Sequence, residues 1–221
     1  MLGVPENKID NESLTVKQYR TLSRSYDRRF KTYINAVTDK VLTSAYIRND
    51  DRILDLGCGT GEMLFKLVQE YSCIKELAGI DLSEDMLKLA RAKLDSFEAV
   101  SLSKGTIEKL EYPDNHFDLV ISSGVLHYVK NVKGMASEVF RILKPDGLFL
   151  LIDMNQGSLT TKISLALRRM TDPATVRYYS RQSASDLLTS QGFTIGLVEL
   201  FKAGNFGLFL VEAMKSTSSK Y

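Results

Sequence analysis

Leu54-Asp55-Leu56-Gly57-Cys58-Gly59-Thr60-Gly61 is the stretch that decides the fold. An apolar run starting at Arg52 enters it, and Met63, Leu64, Leu67 and Val68 leave it at helical spacing. A strand therefore passes through a glycine turn straight into a helix over Glu62–Glu70. The glycines let the backbone turn tightly and approach a ligand with no side chain between them. The helix beyond the turn offers free N–H groups and the positive end of its dipole to an anionic group.

Outward from that turn, strands and helices alternate. Glu76–Asp81 reads as a second strand, Ser83 as an N-cap, and Glu84 and Asp85 as first-turn acids of a helix through Leu94. Val100–Lys104 and Phe117–Ser122 read as the third and fourth strands. A helix from about Val132 to Leu143, a turn at Lys144-Pro145-Asp146-Gly147 and a fifth strand over Leu148–Asp153 follow. Such alternation implies right-handed crossovers and a parallel sheet covered on both faces. Phe193–Leu200 and Phe206–Ala213 are joined by a link too short for a helical crossover, so they pair antiparallel. The expected fold is α/β, a doubly wound, mostly parallel seven-stranded sheet with a C-terminal antiparallel pair.

One domain accounts for all 221 residues. Within 1–221 the expected parts are a helical cap over 1–48, a core over 49–153, a lid over 154–190 and the closing pair over 191–215. The cap reads as mostly helical from Ser13 to Tyr46, with Tyr19, Leu22, Tyr26, Phe30, Tyr33 and Val37 as an apolar-aromatic stripe. That stripe reads as packing on the core; a sharper reading has some of its tyrosines also close over a ligand. The excursion Asn155–Ser185 carries Lys162, Arg168, Arg169, Arg177 and Arg181 against the single acid Asp172. A solvated face over a packed one explains such a pattern. Peripheral membrane contact through 158–170 is the alternative.

Composition excludes several classes. The chain is 44% hydrophobic and 25% charged, which is ordinary globular material. Its net charge of +2 gives no general footprint for nucleic acid, and no such partner is expected. No stretch reaches the ~18–20 apolar residues that span a bilayer, and the first residues lack a signal peptide's apolar run. A cytoplasmic location is therefore expected. Cys58, Cys73, His116 and His127 form no ligand cluster, so no metal is expected and a catalytic thiol has no evident basic partner.

The glycine turn and the acid that ends the next strand, Asp81, together indicate a cofactor containing a nucleoside, with Asp81 accepting from both ribose hydroxyls. The dinucleotide spacing G-x-G-x-x-G fails, because Glu62 stands at the third glycine position. Asp55 beside the loop would repel a pyrophosphate but suits the ammonium of an amino acid. A nucleoside joined to an amino acid, as in S-adenosyl-L-methionine, meets both conditions.

The residues 54–61 resemble motif I of the class I S-adenosylmethionine-dependent methyltransferases. Asp81 resembles their ribose-binding acid, and Phe117–His127 their fourth-strand motif. Arg141–Gly147 resembles the turn before their fifth strand. The likeness runs over roughly residues 50–153, with Phe193–Ala213 similar to the family's closing pair. It is closest in character to the small-molecule branch that includes the ubiquinone and menaquinone enzymes, whose Tyr-Asp segment resembles Arg24-Ser25-Tyr26-Asp27.

The resemblance implies a cofactor site formed by Tyr26, Asp55, Gly57, Cys58, Gly59, Thr60, Gly61, Asp81, Leu82, Met86, Thr106, Ile107, Glu108, Ser122 and Ser123. S-adenosyl-L-homocysteine would be the product. Many relatives have Gly-Asp-Ala, with the acid near the adenine amino group, where this chain has Gly105-Thr106-Ile107. The implied reaction is an in-line displacement that aligns a small-molecule O, N or C nucleophile with the methyl group. His127 is the best general-base candidate, where the acceptor needs one, the alternative being a histidine packed at a helix start; Tyr128 is a second candidate or an aromatic wall. The other readings are a quinone or lipid acceptor at a membrane, a non-catalytic cofactor-binding subunit, and a nicotinamide oxidoreductase disfavoured by Glu62 and Asp55.

Overall fold

A computed structural model describes residues 11–71, 73–156 and 174–216. Its sheet has seven strands in the order β3-β2-β1-β4-β5-β7-β6. These are β1 (Arg52–Leu56), β2 (Glu76–Asp81), β3 (Val100–Lys104), β4 (Phe117–Ser123), β5 (Leu143–Met154), β6 (Thr194–Ala203) and β7 (Phe206–Met214). The first five pair in parallel, and β7 lies antiparallel to both β5 and β6. The doubly wound sheet with its antiparallel pair is the architecture expected from the sequence.

Alternation along each strand divides the core. On one face Ile53, Leu77, Leu119, Ile121 and Leu150 pack under α3 (Lys31–Ser44), α4 (Glu62–Glu70) and α5 (Glu84–Leu94). On the other, Leu54, Leu56, Val120, Phe149 and Leu151 pack under α6 (Val132–Ile142) and α7 (Arg181–Ser190). Burying a Leu or Phe side chain is worth about 1.5–3 kcal/mol, so these two layers fix the register on both faces.

Three stretches differ from the reading of the sequence. The cap is not one helix but α1 (Asn11–Leu22), a 3-10 turn (Ser23–Ser25), α2 (Tyr26–Arg29) and α3. Ser23 and Ser25 donate their hydroxyls to the carbonyls of Arg20 and Leu22, and that local bonding competes with a continuous helix. The break turns α1 back over the sheet's carboxyl ends. The Lys144–Gly147 turn is a bulge within β5, with Asp146 left-handed at φ 61 and the Lys144 ammonium on Asp118. Pairing accordingly jumps from Phe117↔Leu143 to Leu119↔Leu148.

The third difference falls in the expected lid. Arg181–Ser190 at its end form α7, closed by reciprocal Ser180–Ser183 bonds, and Ala184 and Leu188 are fully buried in the core. Lys162, Arg168, Arg169 and Asp172, with the rest of 157–173, lie outside the described residues, as do 1–10, 72 and 217–221. No helix among the described residues is long and apolar enough to cross a membrane.

Candidate active site

The strand order reverses between β1 and β4, and the glycine turn sits in the crevice there. Gly57 and Cys58 donate their N–H groups to the Ile80 carbonyl at 2.8 and 3.1 Å, which ties the turn to the end of β2. Gly57, Gly59 and Gly61 all have positive φ, at 75, 53 and 77°. A Cβ on Gly59 would meet nothing within 4 Å, so that backbone faces open space. A Cβ on Gly61 would instead come within 2.8 Å of Leu94. Gly61 thus serves the packing of α4 on α5, and lines neither of the two cavities at the turn.

The larger cavity, about 760 Å³, has Gly57, Gly59, Asp81, Leu82 and Met86 along one side. Thr106, Ile107 and Glu108 line the next side, and Ser123, Gly124, Val125 and Tyr128 the next. Its roof comes from the cap, through Glu12, Thr15, Tyr19 and Tyr26. The tyrosines form a connected cluster. Tyr19 lies 5.9 Å between centroids from both Tyr26 and Tyr128, and its hydroxyl donates to that of Tyr128 at 3.4 Å. Burial raises the Tyr19 phenol well above its ordinary pKa and pushes Tyr26 up to about 12, so both are neutral donors at physiological pH.

A smaller cavity of about 470 Å³ lies on the far side of the turn, under α3. Asp55, Cys58, Thr60 and Thr38 line it, while Tyr26, Gly57, Gly59 and Ser123 border both spaces. Among the described residues, no Lys, Arg or His lines either cavity. A diphosphate would find no positive side chain there among the described residues.

The acids carry the electrostatics. Asp81 accepts from the Gly59 N–H at 2.9 Å and the Ser83 N–H at 2.7 Å, one on each oxygen. Burial outweighs those two bonds and raises its pKa. Asp55 is pushed up to about 7, by burial first and by the charge of Asp81 second. Burial also pushes the Cys58 thiol up, which suits packing under the turn rather than nucleophilic chemistry. Thr60 donates to Asp27 at 2.5 Å, and Lys93 bridges Asp27 and Glu62, so the cap is fastened to the turn itself.

The two catalytic candidates separate. Tyr128 faces the larger cavity, whereas His127 is buried behind it and lines neither space. The His127 ring lies 4.1 Å from Tyr128 and 5.4 Å from Tyr178, stacked on the latter at 19°. Its Nδ1 is 2.8 Å from Asp153, an acid at the end of β5 that the reading of the sequence passed over. Ser122 is fully buried inside β4, its hydroxyl without a hydrogen-bond partner among the described residues. Thr38, whose buried hydroxyl is likewise unsatisfied, went unnoticed because a lone Thr on a helix carries no motif.

A family profile described as "Methyltransferase domain" matches residues 47–190. The chain belongs to the class I S-adenosylmethionine-dependent methyltransferase family. Among its curated relatives is the demethylmenaquinone methyltransferase of Staphylococcus aureus, 30% identical over 159 residues. That match covers 70% of this chain and 65% of the relative. A chain of the Haloferax volcanii complex between the Trm112 methyltransferase activator and a methyltransferase superposes with a TM-score of 0.82. It is 17% identical, with 93% of this chain and 99% of that one covered. A methyltransferase from Aquifex aeolicus superposes at 0.66 and 21% identity, covering 94% and 99%. At these identities the structures establish shared fold alone.

Proposed function

We propose that this chain transfers a methyl group from S-adenosyl-L-methionine to an oxygen, nitrogen or carbon atom of a small molecule. The observation that carries the reading is the meeting of the glycine turn, Asp81 and Asp55 at two adjoining spaces that no basic side chain among the described residues lines. Asp81 keeps a lone pair on each oxygen for a ribose diol beyond its two N–H bonds. Asp55, with Thr60 beside it, faces the amino-acid end, where an ammonium favours its ionised form. Leu82, Met86 and Ile107 give the purine apolar walls, and Thr106 a hydroxyl at its edge.

The cofactor supplies a methyl carbon already activated by its bond to a positively charged sulfur. Everything else falls to this chain: holding the acceptor in line, covering it with the Tyr19–Tyr26–Tyr128 cluster, and excluding water. As the new bond to carbon forms, the carbon–sulfur bond breaks with its electron pair left on sulfur, giving S-adenosyl-L-homocysteine.

A neutral amine gives up its proton to solvent afterwards, while a phenol or an acidic carbon must lose one to a base. His127 is that base in our reading. The Asp153 carboxylate takes its Nδ1–H and leaves Nε2 as the basic nitrogen. Because the ring stands behind Tyr128, an acceptor reaches it only where the wall at Tyr128 yields.

A second reading, a quinone or other lipid acceptor, is favoured by the name of the Staphylococcus aureus relative. Both are tested by incubating the pure chain with methyl-labelled cofactor and a small-molecule extract of the source cells. Label in an aqueous product supports a polar acceptor, and label in the organic phase a lipid one. Bound cofactor with no transfer until a second protein is added supports a subunit that works through a partner.

A further inference from the structure

We propose that Glu12 of α1 reads the exocyclic amine of the cofactor's adenine, an inference that rests on the S-adenosylmethionine reading above. Among the described residues, three carboxylates line the larger cavity, those of Asp81, Glu108 and Glu12. Two of them already hold backbone N–H groups, Asp81 on both oxygens and Glu108 on one. Glu108 Oε1 accepts from the N–H groups of Lys130 and Asn131 at 3.1 and 3.2 Å. Thr106, standing where many relatives have an acid, is engaged too, its hydroxyl accepting the Glu108 N–H at 3.3 Å. Glu12 makes no hydrogen bond or ion pair with any described residue.

Glu12, Thr15 and Tyr19 fall at i, i+3 and i+7, a single face of α1, and all three form the cavity roof. Tyr19 marks where that face stands, because it contacts Tyr26 and Tyr128 and feels the charge of Asp81. Seven residues of helix put Glu12 about 10 Å from Tyr19 on that face. That is the order of distance from a ribose to the amine edge of its purine plus the reach of a glutamate. With the ribose hydroxyls on Asp81, the remaining amine of the nucleoside is the exocyclic one, and a carboxylate is a strong acceptor for it. The acid missing from the sheet is thereby supplied by the cap.

The test compares S-adenosyl-L-homocysteine with its inosyl counterpart, which carries a carbonyl where adenine has the amine. Calorimetric titration of both into the full chain, E12A and E12Q reads affinity without turnover. The adenosyl-over-inosyl preference of the full chain should fall about tenfold in E12A, the scale of one hydrogen bond to a charged group on an exposed residue. E12Q, which keeps a carbonyl acceptor, should retain part of it, and thermal unfolding of the variants should stay unchanged. An unaltered preference, or equal loss of both ligands, overturns the proposal. If neither ligand binds the unsubstituted chain, the S-adenosylmethionine reading falls with it, an outcome distinct from the other two.

Discussion

His127 Nδ1 and Asp153 Oδ1 lie 2.8 Å apart, with each side chain only 3% exposed. The same carboxylate also accepts the His127 backbone N–H at 3.3 Å, and the His127 carbonyl takes N–H groups from Val176 and Arg177. The pair therefore locks the turn that presents Tyr128 to the end of β5 and to the chain returning at 174–178. Asp153→Ala should destabilise the fold by about 1–3 kcal/mol, the cost of leaving a buried polar group unmatched, as read by urea unfolding.

His127→Gln separates two roles of that residue. As a base, it should lose turnover of a protonated acceptor with S-adenosyl-L-homocysteine affinity kept. Full turnover would remove His127 from the chemistry and leave it as a brace.

Asp81→Ala should weaken S-adenosyl-L-homocysteine by about 1.5–3 kcal/mol, the worth of hydrogen bonds to an ionised acceptor. Calorimetry on the folded variant checks it. Unchanged affinity would detach Asp81 from the ribose.

Asp55 gives the stability a direction in pH. Its pKa is about 7 in the fold against an ordinary 3.8, so the folded chain holds a proton that the unfolded chain has released between those values. Stability from this group is greatest below the lower value, declines as pH rises between the two and stays reduced above the upper one. Asp55→Asn removes that slope. Relative to the unsubstituted chain, it should gain about 1–3 kcal/mol between pH 4.5 and pH 8 in urea unfolding without ligand. Parallel pH profiles in the two chains would show Asp55 ionised throughout.

Gly57 and Gly59 should respond unequally to alanine. Both are left-handed, which costs an L-residue roughly 1–2 kcal/mol. At Gly57 the new Cβ would also lie 2.4 Å from Val125 Cγ2, a branched side chain with little freedom to yield. Gly57→Ala should therefore lose about 2 kcal/mol or more and narrow the larger cavity, with Gly59→Ala losing about 1 kcal/mol. Equal losses would mean that Val125 swings aside.

Much of this was legible in the residues because period and punctuation agree. β1, β2 and β3 run where alternation and the flanking turns put them, and Ser83 caps α5 with its hydroxyl on the Met86 N–H. The tyrosine stripe was visible as a stripe. Its division was not, since Tyr19 and Tyr26 reach the cavity only after the helix breaks at Ser23–Ser25, and serine hydroxyl bonding has no period. Asp153 escaped notice for another reason. A single acid ending an apolar strand has a partner only in three dimensions, and His127 lies twenty-six residues earlier. Glu12 is the extreme case, a polar residue at the start of a helix that topology alone brings to the crevice.

The strand order also has a temporal side. β7 is the last of the seven strands to be synthesised, yet it occupies the slot between β5 and β6. On the ribosome, the Leu148–Met154 edge of β5 therefore waits bare for the residues 208–214 that will pair with it. An apolar edge left open is where nascent chains stick to one another. For this protein the hazardous interval ends only when the closing hairpin emerges, so a stall or premature stop before Phe206 should yield aggregate rather than a shorter soluble domain.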